Sequence, residues 1–262
     1  MQEGNSKSRA WKLLRVSIIF IGINFLFAFY GTLLHLVFAT IFLLIILSCF
    51  FIFKTGIPGV KRIITALALS LAALIPLTSY LPYVILASIM TFFAAIAAFG
   101  IFDKYGSKQA GLFKVKGRKA ILLITLISIA VGIALGFANI GMTIISGTYP
   151  DIDITLPRVL AAVRPGVFEE VGFRMFIYAA CVYFLKGEKA WTKWETIACW
   201  IMMIVPHAFM HTHSLFGGFT LAVVFGLPIT AIYMKGGLVP AMITHFFANA
   251  MLYSYAGFSV RA

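Results

Sequence analysis

Gly166-Val167-Phe168-Glu169-Glu170-Val171-Gly172-Phe173-Arg174 sets two adjacent carboxylates and a guanidinium in a run otherwise apolar enough to lie in a bilayer. Outward from it, apolar stretches of about 20 residues recur along the chain, the length a helix needs to cross the hydrocarbon core. Of 262 residues, 62% are hydrophobic and 11% charged, which excludes a soluble globular domain. The runs are continuously apolar, whereas barrel strands alternate apolar and polar residues, so a β-barrel is excluded as well. The sequence predicts an all-α, polytopic transmembrane helical bundle of about eight or nine spans, multi-pass in the cell membrane.

No formal charge occurs from Val16 to Phe53, enough for two spans that turn near Tyr30-Gly31. Further spans are expected at about Ile63–Ser79, Tyr83–Phe102, Ala120–Ile145, Val159–Leu185, Thr196–Met210, Phe216–Met234 and Leu238–Tyr255. Lys and Arg gather in alternate loops, at Lys7–Arg15, Lys54–Arg62, Lys104–Lys119, Lys186–Lys193 and Lys235. Only Arg158, Arg164 and Arg261 fall on the opposite side. The positive-inside rule then puts the N-terminus in the cytoplasm and Glu169 nearer the outer end of its span. It also accounts for the net charge of +13 without nucleic acid, whose usual footprint is a basic stripe on a soluble face. The basic start resembles a signal peptide, but the apolar run is too long and no small-residue cleavage site follows, so an uncleaved first span is expected. Cys49, Cys181 and Cys199 match no metal knuckle and read as small buried hydrophobes.

A charge at bilayer depth costs roughly 2.5–3.5 kcal/mol on insertion scales, so each polar group in these runs needs a reason. Glu170 and Arg174 are four apart and can pair on one helical face. A register-fixing ion pair would need only these two. Glu169, rotated by about 100° on an ideal helix, is left over and is expected to face a different neighbour. A spare carboxylate in apolar surroundings suits general-base work. His207 and His211 also share a face, while His213 points elsewhere; the pair has HExxH spacing without its Glu, so that zinc motif is not supported. His245 and Asn249, one turn apart in the last span, are donors suited to an oxyanion. His35, Asn24 and Asn139 are isolated and read as packing or interfacial residues.

At these residues the sequence resembles the CPBP family, also called the Abi family, which includes CAAX prenyl proteases of the Rce1 type and bacteriocin-processing or self-immunity proteins. The family pattern is Glu-Glu-x-x-x-Arg, then Phe-x-x-x-His, then His-x-x-x-Asn or Asp, on successive helices. Glu169–Arg174 and His245–Asn249 complete the first and third motifs. For the second, Ala208-Phe209-Met210-His211 reads like the family's approach to its His, and His207 is the alternative. The resemblance implies that residues 159–256 form a catalytic core of helices, behind N-terminal helices at 1–158 that carry no such motif. It implies an intramembrane glutamate-type endopeptidase. Glu169 and His211 would activate water, His245 and Asn249 would hold the oxyanion, and Glu170 and Arg174 would orient the site. No cofactor is required, though a divalent metal is compatible. The expected partners are membrane lipids and a peptide or lipidated-protein substrate. The rival reading is a non-enzymatic immunity or scaffold protein of the same family. A proton-relay transporter is disfavoured because no repeat or broken-helix pair is visible.

Overall fold

The computed structural model describes residues 33–75, 81–107, 111–145, 154–188, 191–212 and 214–255, with Trp11, Leu14, Arg15, Ile18 and Gly22. Most of the expected first span, Asn24, Asp151, Asp153 and His213 lie outside the described residues, as does the side chain of His35. Among the described residues all regular structure is helical: α1 (Leu33–Thr55), α2 (Val60–Ala73), α3 (Leu81–Tyr105), α4 (Arg118–Ile145), α5 (Leu156–Ala161), α6 (Val163–Glu169), α7 (Ile177–Leu185), α8 (Lys193–Met210), α9 (Leu215–Leu221), α10 (Leu227–Gly236) and α11 (Leu238–Tyr255). Two π-helical segments, Glu170–Phe176 and Ala222–Gly226, join α6 to α7 and α9 to α10.

Four stretches are long and apolar enough to cross a membrane: Leu36–Thr55, Leu81–Tyr105, Arg118–Ile145 and Leu215–Gly236. The expected seventh and ninth spans form the 18-residue helices α8 and α11, which are not in that set, and the third and sixth differ in shape. The third is a 14-residue helix, α2, about 21 Å long against a hydrocarbon core of about 30 Å. It stops before Ile75 because Pro76 disfavours helical geometry in the residue it follows. The sixth is not one continuous α-helix. It breaks at Ala162, since Pro165 has no N–H to give the carbonyl of Ala161. It then widens into the π segment at Glu170, a feature frequent at functional sites.

The bundle is centred on α3, whose buried face runs through Met90, Thr91, Ala94, Ala95, Ala98 and Ile101 against α1, α2 and the π segment. Reciprocal hydroxyl-to-carbonyl bonds between Ser70 and Ser88, at 3.0 and 2.8 Å, lock α2 to α3. The most extensive seam lies between α4 and α11. There Ser128, Gly132 and Gly136 form a small-residue stripe of the kind that lets membrane helices approach closely. A Cβ on Gly132 would lie 2.6 Å from the Thr244 carbonyl oxygen, and one on Gly136 would lie 2.5 Å from Met251 Cβ. Thr244 donates to the Ser128 carbonyl at 3.2 Å, fixing the height of α11, the helix that carries His245 and Asn249. Its start is fixed separately. Gly237 has φ +99°, and a Cβ there would meet Lys114 N at 2.8 Å. Lys114 donates its backbone N–H to the Gly236 carbonyl at 2.8 Å, so the basic loop is stitched to the α10–α11 turn.

Large apolar side chains such as Phe42, Ile46, Phe53, Leu122, Leu126 and Phe137 point outward. So much exposed apolar surface is foreign to a soluble monomer and fits a lipid-facing exterior. Cys181 and Cys199 are buried as expected, whereas Cys49 is exposed on the outer face of α1.

Candidate active site

Three parts of the chain deliver the polar groups. Glu169 ends α6, and Glu170 and Arg174 lie in the π segment after it. His207 lies in the last turn of α8, a helix started by a Thr192–Glu195 capping box, and His211 immediately follows its end. His245 and Asn249 are one turn apart on α11.

Glu169 Oε2 lies 2.5 Å from His207 Nε2, 3.4 Å from His211 Nε2 and 3.6 Å from His245 Nε2. Glu170 Oε1 accepts from His245 Nδ1 at 2.7 Å and pairs with Arg174 Nη1 at 3.3 Å. The two carboxylates have different nearest neighbours, His207 for Glu169 and His245 with Arg174 for Glu170, and His245 lies between them. Glu169 is 4% exposed, Glu170 and Arg174 are fully buried, and the His211 side chain is 41% exposed.

The tautomer of His207 follows from its neighbours. Arg174 Nη1 is 2.6 Å from His207 Nδ1. A guanidinium only donates, so Nδ1 accepts and the ring's one proton sits on Nε2, which donates to Glu169. His207 is thus a neutral imidazole clamped between a cation and a carboxylate. The Phe173 ring packs 4.8 Å from it, centroid to centroid. His245 is set up in the opposite sense: its Nδ1–H is spent on Glu170, and its Nε2 faces Glu169.

A cavity of about 180 Å³ lies over these groups, lined by Glu169, His207, His211, His245 and Asn249. Phe225, Gly226 and Ile229, around the second π segment, and Tyr253 on α11 complete its wall. A second cavity of about 250 Å³ shares Glu169, His211 and Tyr253 with the first and adds Tyr83 and Arg164. The eighth-span wall, Tyr83, Arg164 and Tyr253 carry no motif. Only Arg164 gives a signal, as one more charge five residues before Glu169, near the outer end of the expected sixth span.

Glu169, His207 and His211 each offer one ligand atom within 4.8 Å of the others, the number of protein ligands in an open catalytic zinc site. The chemistry of His207 does not fit that use. A metal-bound imidazole ordinarily donates its other N–H to an acceptor. Here the other nitrogen faces a donor, Arg174, and the nitrogen facing Glu169 already carries the proton.

Residues 152–251 match the model of the family described as type II CAAX prenyl endopeptidase Rce1-like. The chain carries an Rce1-like domain. This domain contains every polar residue of the cluster, and its family points to a protease acting in a membrane on a protein or peptide substrate. No curated protein and no solved structure matches the chain.

Proposed function

We propose that the Rce1-like domain is a metal-independent intramembrane endopeptidase in which Glu169 is the general base and His207, rather than the expected His211, is its partner. The observation that carries this reading is the 2.5 Å contact between Glu169 and His207 inside a cavity also lined by His245 and Asn249. His207 is buried and fixed from both sides, whereas His211 is more exposed and 0.9 Å farther from the carboxylate. We read residues 159–256 as the catalytic core and the chain as crossing the cell membrane eight or nine times. The charged sixth segment crosses because α3, α8 and α11 shield it.

The chemistry follows from the positions. Glu169 takes a proton from a water in the cavity as the water oxygen attacks the peptide carbonyl carbon. The carbonyl π electrons move to its oxygen, and His245 Nε2–H and Asn249 donate to that oxyanion. To donate there, His245 must carry both protons. Glu170 holds Nδ1–H, which leaves Nε2–H for the oxyanion. When the intermediate collapses, the C–N bond breaks and Glu169 returns its proton to the leaving amine. His207 orients Glu169 through Nε2–H, while Glu170 and Arg174 position His245 and His207.

Glu169→Gln keeps the shape and an acceptor for His207 but removes the base, which typically contributes 10²–10⁴-fold. Proteolysis by the purified protein should fall by that factor while accumulation and helicity stay unchanged. Proteolysis within tenfold of wild type would reject the peptidase reading in favour of the scaffold one. Treatment with EDTA should leave the rate unchanged; a loss restored by one divalent metal would reject the metal-independent part alone.

A further inference from the structure

The contacts that Glu169 makes with the three histidines all go through one oxygen, Oε2. Its Oε1 has no hydrogen-bond or ion-pair partner among the described residues, yet Glu169 lines both cavities. Oε1 is therefore the atom placed to take a proton from water. The residues common to the two cavities are Glu169, His211 and Tyr253. His245 and Asn249 line the first alone, which puts the oxyanion donors to one side of this junction. Tyr253 continues their row on α11 at a spacing of four, and each such step turns about 40° past a full circle. Tyr253 thus stands about 80° round from His245, so one helix serves both the oxyanion side and the junction. A long helical side chain lies over the turn before its own Cα, here the turn of Asn249. The Tyr253 phenol is within electrostatic reach of the Glu169 carboxylate, and no hydrogen bond ties its hydroxyl to another described residue. The chemistry above leaves this hydroxyl unused.

We propose that Tyr253 is a further catalytic residue, which holds the attacking water against Glu169. This rests on the peptidase reading above. The water gives one proton to Glu169 Oε1 and donates its other hydrogen to the Tyr253 hydroxyl oxygen. Its lone pair forms the C–O bond while the carbonyl π electrons move to the oxygen held by His245 and Asn249. The second hydrogen stays on the attacking oxygen and the phenol keeps its own, so Tyr253 acts as neither acid nor base. Its task is aim. Two hydrogen bonds to the water leave a lone pair directed at the carbonyl carbon, and such held geometry is a large part of what a site contributes to rate. His211, the remaining residue at the junction, has its Nε2 turned to Glu169 Oε2 and to His207.

The probes carry the prenylated cysteine of a CAAX tail, ended as an aldehyde or as a methyl ketone. Their binding to wild type and to Tyr253→Phe is measured in phosphatidylcholine nanodiscs. The aldehyde hydrates, so its reacting carbon bears both the oxyanion oxygen and the attacking one. The methyl ketone keeps a single carbonyl oxygen, which meets His245 and Asn249 alone. Tyr253→Phe should weaken the aldehyde at least about fivefold, the net effect of one hydrogen bond, and the ketone by less than about twofold. Both Kd values come from the same protein, so a loss of folded material cancels in their ratio. With a cleaved CAAX peptide, kcat should fall by a similar factor while KM stays within about twofold, the pattern of a bond made only in the transition state. Equal weakening of both probes would assign the hydroxyl to the oxyanion or to packing and overturn the proposal. So would no weakening of either, no binding of the aldehyde to wild type, or a raised KM with kcat unchanged. Cleavage by wild type is scored separately. Discrimination between the probes without cleavage keeps the place of Tyr253 and rejects the peptidase reading, whereas cleavage without discrimination does the reverse.

Discussion

Along α4, Gly132 and Gly136 bring the helix so close to α11 that an added Cβ would lie 2.6 Å from a carbonyl oxygen or 2.5 Å from a side-chain carbon. Between α6 and α7 the chain does the opposite, placing Glu169, Glu170 and Arg174 where small apolar residues would pack. The first region gains its stability from close packing, with a single hydroxyl bond between Thr244 and Ser128 to set the register. The second gains nothing comparable. A buried ion cluster is often no more stable than apolar residues of the same volume, although removing one partner is costly. The seam fixes where His245 and Asn249 stand, and the cluster supplies what they act with. The α4–α11 seam serves position, whereas the cost of the charged cluster is explained by chemistry.

Substitutions in the two regions should therefore behave differently. Arg174→Met should have the largest effect on stability, about 3–5 kcal/mol, because it leaves Glu170 buried without its cation and His207 without the donor that sets its tautomer. A thermal unfolding midpoint in detergent close to wild type would mean that the cluster is hydrated and not a dry ion pair. Gly136→Leu should cost about 1–3 kcal/mol by overpacking the seam. Gly141→Leu, farther along α4 where a Cβ meets nothing within 4 Å, should cost little. Equal losses at the two glycines would show that α4 and α11 are not held by close approach. Ser70→Ala should cost least, around 0.6 kcal/mol, the average for a hydrogen bond between membrane helices. A cost several times larger would make the α2–α3 contact, and not the α4–α11 seam, the stronger of the two.

Much of this organisation was legible in the residues. The start of α11 at Leu238 follows from the glycine pair before it, and the runs of α4 and α11 through the described residues follow from apolar length. The second and eighth expected spans contain membrane-length helices for the same reason. The third came out short because a local rule, the constraint Pro76 places on Ile75, outweighs apolarity. The break at Ala162 was equally readable from Pro165, but the π segment was not, since its register depends on what surrounds it. Gly132-x-x-x-Gly136 is a small-residue stripe in the sequence, but the stripe alone does not say which helix it meets. His207 and His211 share a helical face, so spacing cannot separate them. What separates them is that α8 ends at Met210, which leaves His211 at the rim while Arg174 reaches His207. Tyr83 and Tyr253 look like ordinary interfacial aromatics until the fold brings them to one cavity.

The central claim is that Glu169 works through the histidine clamped by Arg174, and paired alanine variants test it most directly. His207→Ala should lower kcat/KM for a cleaved peptide by at least about 10², the low end for a group coupled to general-base catalysis. His211→Ala should stay within tenfold of wild type. A dead His211→Ala beside an active His207→Ala would contradict the account and return the role to the histidine one turn further along.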